Sequence, residues 1–129
     1  MKRLQIILLL LVFAISSCDK TPYEKPEALI KEKQMIKMMV DIHLAEATYN
    51  TLRHDSVVRS RTSADFYYSV LDKYQVPDSV FEQSFVYYAS NPKNFEKMYR
   101  KVMNELNVLE QSFSGRKEDL LKFDEDIPR

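Results

Sequence analysis

Residues 91–115 read NPKNFEKMYRKVMNELNVLEQSFSG and contain the clearest helical pattern in the chain. Apolar residues recur here at steps of three and four, which is typical of one face of an amphipathic helix: Phe95, Tyr99, Val102, Leu106, Leu109 and Phe113. Asn91 is a favourable N-cap, Pro92 suits the first helical position, and Gly115 readily adopts the left-handed conformation that ends a helix. The pattern predicts a long helix between Asn91 and Gly115.

Three segments upstream carry a similar spacing of apolar residues. They predict helices over about residues 26–51, 63–74 and 78–90. Pro26 favours a helix start, because proline lacks the backbone N–H that the first helical turn leaves unpaired. Gln75-Val76-Pro77 ends the second of these helices, since proline cannot continue the hydrogen-bond ladder.

Capping signals mark the starts of the two middle helices. Thr62 or Ser63 can cap the helix over 63–74. Ser79-Val80-Phe81-Glu82 fits a Ser-x-x-Glu capping box near the start of the helix over 78–90. Because no run of alternating β-branched residues appears and the connections are short, the sequence predicts an all-α fold, a small antiparallel bundle of about four helices.

The composition excludes several classes of protein. The chain carries 19 Lys and Arg against 19 Asp and Glu, whereas nucleic-acid-binding proteins usually have a basic excess. Gly115 is the only glycine, and phosphate-binding loops, dinucleotide folds and tight β-hairpins depend on glycine. A single cysteine, Cys18, rules out an intramolecular disulfide and a multi-cysteine zinc site. We therefore expect no nucleic-acid partner and no cofactor.

The first eighteen residues have the layout of a secretory signal. Met1-Lys2-Arg3 is basic, residues 6–15 form an unbroken apolar run, and Ser16-Ser17 precede Cys18. The run is shorter than the roughly 20 residues that a membrane-spanning helix needs. The arrangement resembles the bacterial lipobox, in which signal peptidase cuts before a cysteine that then carries lipid. Ordinary cleavage, which would leave Cys18 as an incidental thiol, is the alternative.

These features predict four regions. We expect a signal peptide over 1–17, a lipidated Cys18 with a flexible tether over 18–26, a helical domain over 27–114 and a C-terminal tail over 115–129. Two or three acyl chains on Cys18 would hold the protein stably at a membrane. The expected location is the cell envelope, at the outer membrane and facing the periplasm. An extended tether at ~3 Å per residue would lift the domain roughly 25 Å off the lipid.

One group of residues, Asp41-x-His43-x-x-Glu46, suggests chemistry. On a helix, His43 and Glu46 lie three apart on one face, so both could reach one metal ion or one proton. His54 could join them if the helix continued that far. Against this, metal sites need three or four convergent ligands, and the chain has only two His and one Cys. The alternative is a core-edge His43 that bonds to a helix neighbour or a tyrosine hydroxyl, with Asp41 in solvent.

Exposed aromatic, methionine and arginine residues could form a partner-binding surface. The candidates are Tyr68, Tyr87, Met35 and Arg59. Tyr67-Tyr68 and Tyr87-Tyr88 each place one ring inward and one outward, and an outward tyrosine can bind a protein or a glycan. Met35 belongs to a methionine cluster that could adapt to a partner, and Arg59 lies in a basic loop that could contact an acidic group. The alternatives are core packing for the tyrosines and methionines and a solvated loop for Arg59.

A family resemblance accompanies these patterns. The segment Met38-Met39-Val40-Asp41-Ile42-His43-Leu44-Ala45-Glu46-Ala47 resembles the signature of a lipoprotein family of Bacteroidetes catalogued as domain of unknown function 4296. Residues 70–74 and 81–88, followed by Tyr99 and Val102, are similar to the second half of that family. The resemblance covers about residues 27–110. It implies a small helical envelope lipoprotein and supplies no catalytic residues.

Functional hypotheses from different classes follow. The preferred one is a lipid-anchored, non-enzymatic protein-interaction or assembly module that contacts the membrane through Cys18 and holds an envelope protein partner. It assigns no catalytic residue and no metal ligand. The alternative is a metal-dependent or acid/base hydrolase that uses His43 and Glu46. A third hypothesis is a structural spacer without a specific ligand.

Overall fold

The computed structural model describes residues 23–56 and 58–115. These ranges contain four helices and no strand: α1 Glu32–Leu52, α2 Ser63–Tyr74, α3 Asp78–Ala89 and α4 Pro92–Ser114. The prediction of an all-α fold with about four helices is confirmed. Within the part of the chain described, no helix combines the length and the apolar character needed to cross a bilayer. The predicted signal peptide, Cys18 and residues 116–129 lie outside the described residues.

Helix α1 is the element on which α2 and α4 both pack. It contacts α2 and α4 over much of its length, while α3 packs chiefly on α4. Helices α1 and α2 are antiparallel, because Tyr49 lies beside Phe66 near the start of α2 whereas Asp41, earlier in α1, bonds to Tyr74 at the end of α2.

Methionine and aliphatic side chains fill the space between the helices. The buried apolar residues are Ile30, Met35, Ile36, Met38, Met39, Val40, Val70, Leu71, Phe81, Met98 and Val102. Methionine suits this core because its unbranched, flexible side chain fills irregular gaps. Met35 is 0% exposed, so the prediction that it contributes to a partner-binding surface is wrong. Its side chain packs in the core instead.

Most helix ends follow the local signals in the sequence. Thr62 and Asp65 form a reciprocal capping box at the start of α2, in which Asp65 Oδ2 accepts the Thr62 N–H at 2.6 Å. Asn91 Oδ1 accepts the Asn94 N–H at 3.1 Å at the start of α4. Gly115 ends α4 with a φ of 67°, as its position predicts.

The capping box predicted at Ser79 is wrong. Helix α3 begins at Asp78, as the predicted range has it, so Ser79 lies inside the first turn; the N-cap is Pro77, which forms no side-chain capping bond. The carboxylate of Asp78 bonds to α2 instead: Tyr67 donates its hydroxyl hydrogen to Asp78 Oδ1 at 2.7 Å. This bond joins the start of α3 to α2, and no pattern within four residues could reveal it.

The segment before α1 departs most from the sequence prediction. The helix predicted from Pro26 begins only at Glu32, and Lys31 is its N-cap in an extended conformation. Ile30 explains the difference: its N–H donates to Ser84 Oγ of α3 at 3.0 Å, and its carbonyl accepts from the Tyr88 hydroxyl at 2.8 Å. These bonds satisfy backbone groups that a longer helix would have paired internally. Residues 23–31, termed the N-terminal segment below, therefore pack non-helically against α3.

Candidate functional site

Asp41 faces α2 from the middle of α1. Its Oδ2 accepts hydrogen bonds from Lys73 Nζ at 2.7 Å and from the Tyr74 hydroxyl at 2.6 Å. The side chain of Asp41 is 22% exposed and that of Lys73 is 61% exposed. The interpretation that leaves Asp41 in solvent is wrong, because its carboxylate links α1 to the C-terminal end of α2.

The surroundings of Asp41 favour its ionised form. Partial burial alone would raise its pKa, but the hydrogen bonds from Lys73 and Tyr74, together with the Lys73 charge, hold the pKa below the usual 3.8. Burial and the bond to Asp41 raise the pKa of the Tyr74 phenol well above 10.0. At neutral pH, Asp41 is therefore charged and Tyr74 keeps its proton, so the pair acts as a fixed interhelical contact.

His43 faces α4 instead. Its Nε2 lies 3.0 Å from the Tyr99 hydroxyl, and the two rings meet edge to face with centroids 5.8 Å apart. Both side chains are half-buried. This geometry matches the alternative in which His43 is a core-edge residue bonded to a tyrosine hydroxyl, and it links α1 to α4.

Asp41, His43 and Glu46 do not converge on one point. Glu46 is exposed, and the structure gives no hydrogen bond between it and His43 in the ranges described. His54 lies in an exposed turn after the end of α1, so it does not join His43 and Glu46 on the face of that helix. Among residues 23–56 and 58–115, no three His, Cys, Asp or Glu side chains are placed to hold a metal ion. The spacing of Asp41 and His43 is consistent with this result, because residues two apart on a helix do not face each other.

A continuous series of rings, termed the aromatic chain below, joins all four helices. In spatial order it consists of Tyr68, Tyr67, Phe81, Phe85, Phe95, Tyr99 and His43. Successive ring centroids are 5.2–6.3 Å apart, within the range of favourable ring pairs. Sequence reasoning missed this feature because its members come from different helices. The only available signal was the high count of eight Tyr and seven Phe.

The remaining surface candidates lie in different surroundings. Tyr68 is 49% exposed at one end of the aromatic chain. Tyr87 is half-buried on α3 against the Tyr88 ring, and Arg59 is exposed in the connection between α1 and α2. No described contact joins Tyr68, Tyr87 and Arg59. With Met35 in the core, the four predicted residues do not form one contact surface.

An open groove, termed the N-terminal groove, lies between the N-terminal segment and α3. It has a volume of about 500 Å³ and is lined by residues 23–27 and by Glu82, Gln83, Val86 and Tyr87. Tyr23 is 56% exposed and Val86 is 37% exposed. Residues 23–26 were expected in a flexible tether, but here they form one wall of the groove.

A second open groove, termed the α4 groove, runs along the first half of α4. Its volume is about 610 Å³, and its apolar lining comes from Ala89, Pro92, Phe95, Tyr99 and Met103. Glu96 and Arg100 flank it and pair with each other at 2.7 Å. Phe95 and Tyr99 of the aromatic chain therefore pack against the core and also line this groove.

The Asp41 contact predicts a dependence of stability on pH. A carboxyl whose pKa is lowered by folding stabilises the folded state above its unfolded pKa, and this contribution is lost as the pH falls. We expect Asp41→Asn to reduce the free energy of unfolding by about 1–2 kcal/mol near neutral pH. The difference from the wild type should shrink below the unfolded pKa of 3.8. Urea denaturation followed by circular dichroism measures it.

The matched control for that measurement is Glu46→Gln, which removes an exposed carboxylate from the same helix. It should change stability little at any pH. A difference between wild type and Asp41→Asn that stays constant down to about pH 3 would contradict the assigned role of Asp41.

The contact between His43 and Tyr99 predicts energetic coupling. In a double-mutant cycle of His43→Ala and Tyr99→Phe, we expect a coupling energy of about 0.5–1.5 kcal/mol in urea denaturation, because Tyr99→Phe removes only the hydroxyl. Strictly additive effects would contradict the contact. Stoichiometric metal in the purified protein that disappears in His43→Ala would instead favour the hydrolase hypothesis.

Comparison with known proteins bears on the whole helical region. A family model described as Domain of unknown function (DUF4296) matches residues 26–112. The match includes the complete α1, α2 and α3 and nearly all of α4. No curated protein and no solved structure matches the chain significantly.

Proposed function

The chain belongs to the DUF4296 family, and we propose that it is a lipid-anchored, non-enzymatic interaction or assembly module of the cell envelope in a Bacteroidetes bacterium. In this proposal the domain is held at the outer membrane, faces the periplasm and binds an envelope protein. Because the family description assigns no activity, the proposal rests on the residues of this chain.

The N-terminal sequence supports the anchor. A basic start, an apolar run over residues 6–15 and a small-residue pair lead directly to Cys18. Tyr23, the first described residue, follows five positions after this cysteine. Acyl chains on Cys18 would therefore hold the helical domain at the membrane without any inserted protein segment.

The contacts of Asp41 and His43 with other helices support the non-enzymatic part of the proposal. Asp41 bonds to α2 and His43 bonds to α4, so two of the three polar residues in the segment 38–47 have partners on other helices. A role in positioning helices accounts for these residue types without a reaction. Glu46 is exposed and forms no described hydrogen bond with His43, whose Nε2 faces Tyr99, which weakens the acid/base alternative.

Exposed rings on a rigid scaffold support the interaction part. Tyr68 is 49% and Phe85 is 36% exposed, although both belong to the aromatic chain that joins the helices. A ring already fixed by its neighbours loses little conformational entropy on binding, and tyrosine is enriched among the residues that contribute most to protein interfaces. An envelope protein with an apolar surface is the partner that fits this chemistry.

The anchor can be tested by metabolic labelling. Cells that grow with radiolabelled palmitate should incorporate label into the wild-type protein and none into Cys18→Ser, because the acylated sulfur is lost. The Cys18→Ser protein should also leave the membrane fraction. Ser17→Ala is the control, since it keeps a small residue before the cysteine. Absence of label from the wild-type protein would overturn the anchor.

The partner surface can be tested by crosslinking in cells followed by mass spectrometry. Tyr68→Ala should lower the recovery of the crosslinked envelope protein about tenfold, which corresponds to ~1.4 kcal/mol of binding free energy. Tyr68→Phe is the matched control, because it keeps the ring and should keep the partner. The thermal stability of both variants should stay close to that of the wild type. An unchanged set of crosslinked proteins in Tyr68→Ala would contradict the proposed surface.

A further inference from the structure

We infer that the N-terminal groove is seated against the lipid headgroups of the membrane that carries the Cys18 anchor, so that this side of α3 faces the bilayer. The inference rests on the proposed lipid anchor and adds to it a defined orientation of the domain. In this orientation, the groove residues Tyr23, Val86 and Tyr87 contact the bilayer interface.

The length of chain between anchor and groove is the first argument. Only Asp19-Lys20-Thr21-Pro22 separates Cys18 from Tyr23, which lines the groove. Even a fully extended chain advances at most about 3.6 Å per residue, so Tyr23 lies within about 18 Å of the anchored cysteine. A tether that ended at residue 26 would have placed more residues between the anchored cysteine and the domain. Because residues 23–26 line the groove together with α3, only four residues lie between Cys18 and the groove.

Buried hydrogen bonds fix the N-terminal segment on α3. Ile30 is 6% exposed and Ser84 is 0% exposed, and the Ile30 N–H donates to Ser84 Oγ at 3.0 Å. The Tyr88 hydroxyl donates to the Ile30 carbonyl at 2.8 Å. Because release of the segment would leave these buried groups unpaired, the N-terminal segment stays on α3, and the chain from Cys18 reaches the domain on this side. The side of α3 that lines the groove is thus the one held near the lipid.

The chemistry of the groove suits the boundary between lipid and water. Tyr23 is 56% exposed, Val86 is 37% exposed, and Tyr87 lies beside them. Tyrosine is enriched at membrane interfaces, because its ring is apolar while its hydroxyl stays hydrated.

The charges at the groove specify the type of lipid. Glu24, Glu27 and Glu82 outnumber Lys25 among the lining residues. A negative surface is repelled by anionic headgroups and tolerated by zwitterionic ones. We therefore expect the contact to form on zwitterionic lipid and to weaken as anionic lipid is added, which is the opposite of a polybasic membrane surface.

Single-tryptophan reporters test the inference directly, since the chain contains no Trp. Tyr23→Trp and Val86→Trp place a reporter in the groove. Leu52→Trp is the control: Leu52 is 41% exposed at the far end of α1, roughly 30 Å along the helix from Glu32. The three lipidated full-length mature variants are reconstituted into phosphatidylcholine vesicles that contain lipid brominated near the headgroup.

We expect the brominated lipid to quench Tyr23→Trp and Val86→Trp strongly, to leave Leu52→Trp unquenched, and to lose effect on the groove reporters when phosphatidylglycerol is added. Equal quenching of all three reporters, or quenching of none while the protein floats with the vesicles, would overturn the inference but leave the anchor intact. Quenching that increases with phosphatidylglycerol would overturn the zwitterionic contact. Failure of the wild-type protein to float would instead remove the anchor, and the inference with it.

Discussion

The burial of the first half of α1 is the constraint on which the rest of the structure depends. Between Met35 and Val40, every residue except Lys37 is buried, so this part of the helix needs neighbours on nearly all sides. Helices α2 and α4 provide two of them, and Ile30 of the N-terminal segment joins the same core. Hydrophobic burial supplies most of the driving force for such packing but is not directional, so it does not by itself fix how each neighbour is oriented.

Polar contacts at the edge of this core fix how the neighbouring helices are oriented. Asp41 reaches α2, His43 reaches α4, and the backbone of Ile30 reaches Ser84 and Tyr88 on α3. Each contact contributes about 1 kcal/mol, which is small beside the apolar burial. Their value lies in their geometry, since a shifted or rotated helix would leave partly buried polar groups without partners. A role in orienting helices therefore accounts for Asp41 and His43.

The same packing has consequences at the surface. Because the aromatic chain passes from one helix to the next, Tyr68 and Phe85 are partly exposed yet packed against the less exposed rings of Tyr67 and Phe81. The N-terminal segment has a corresponding effect near the proposed anchor. In the proposed orientation, its bonds to α3 would give the domain a defined side toward the lipid. The proposed partner surface and the proposed membrane contact therefore both depend on how the four helices are packed.

The sequence by itself determined the helical class, the order of four helices and the ends whose signals are local, as at Thr62, Asn91 and Gly115. These features depend on hydrogen bonds within a few residues and on the spacing of apolar residues along one helix. Both can be read directly from the sequence. Only the tertiary structure decided the late start of α1, the buried position of Met35 and the separate partners of Asp41 and His43. Each of these depends on groups from another helix, and the spacing of residues within one segment carries no information about which distant side chain will lie opposite.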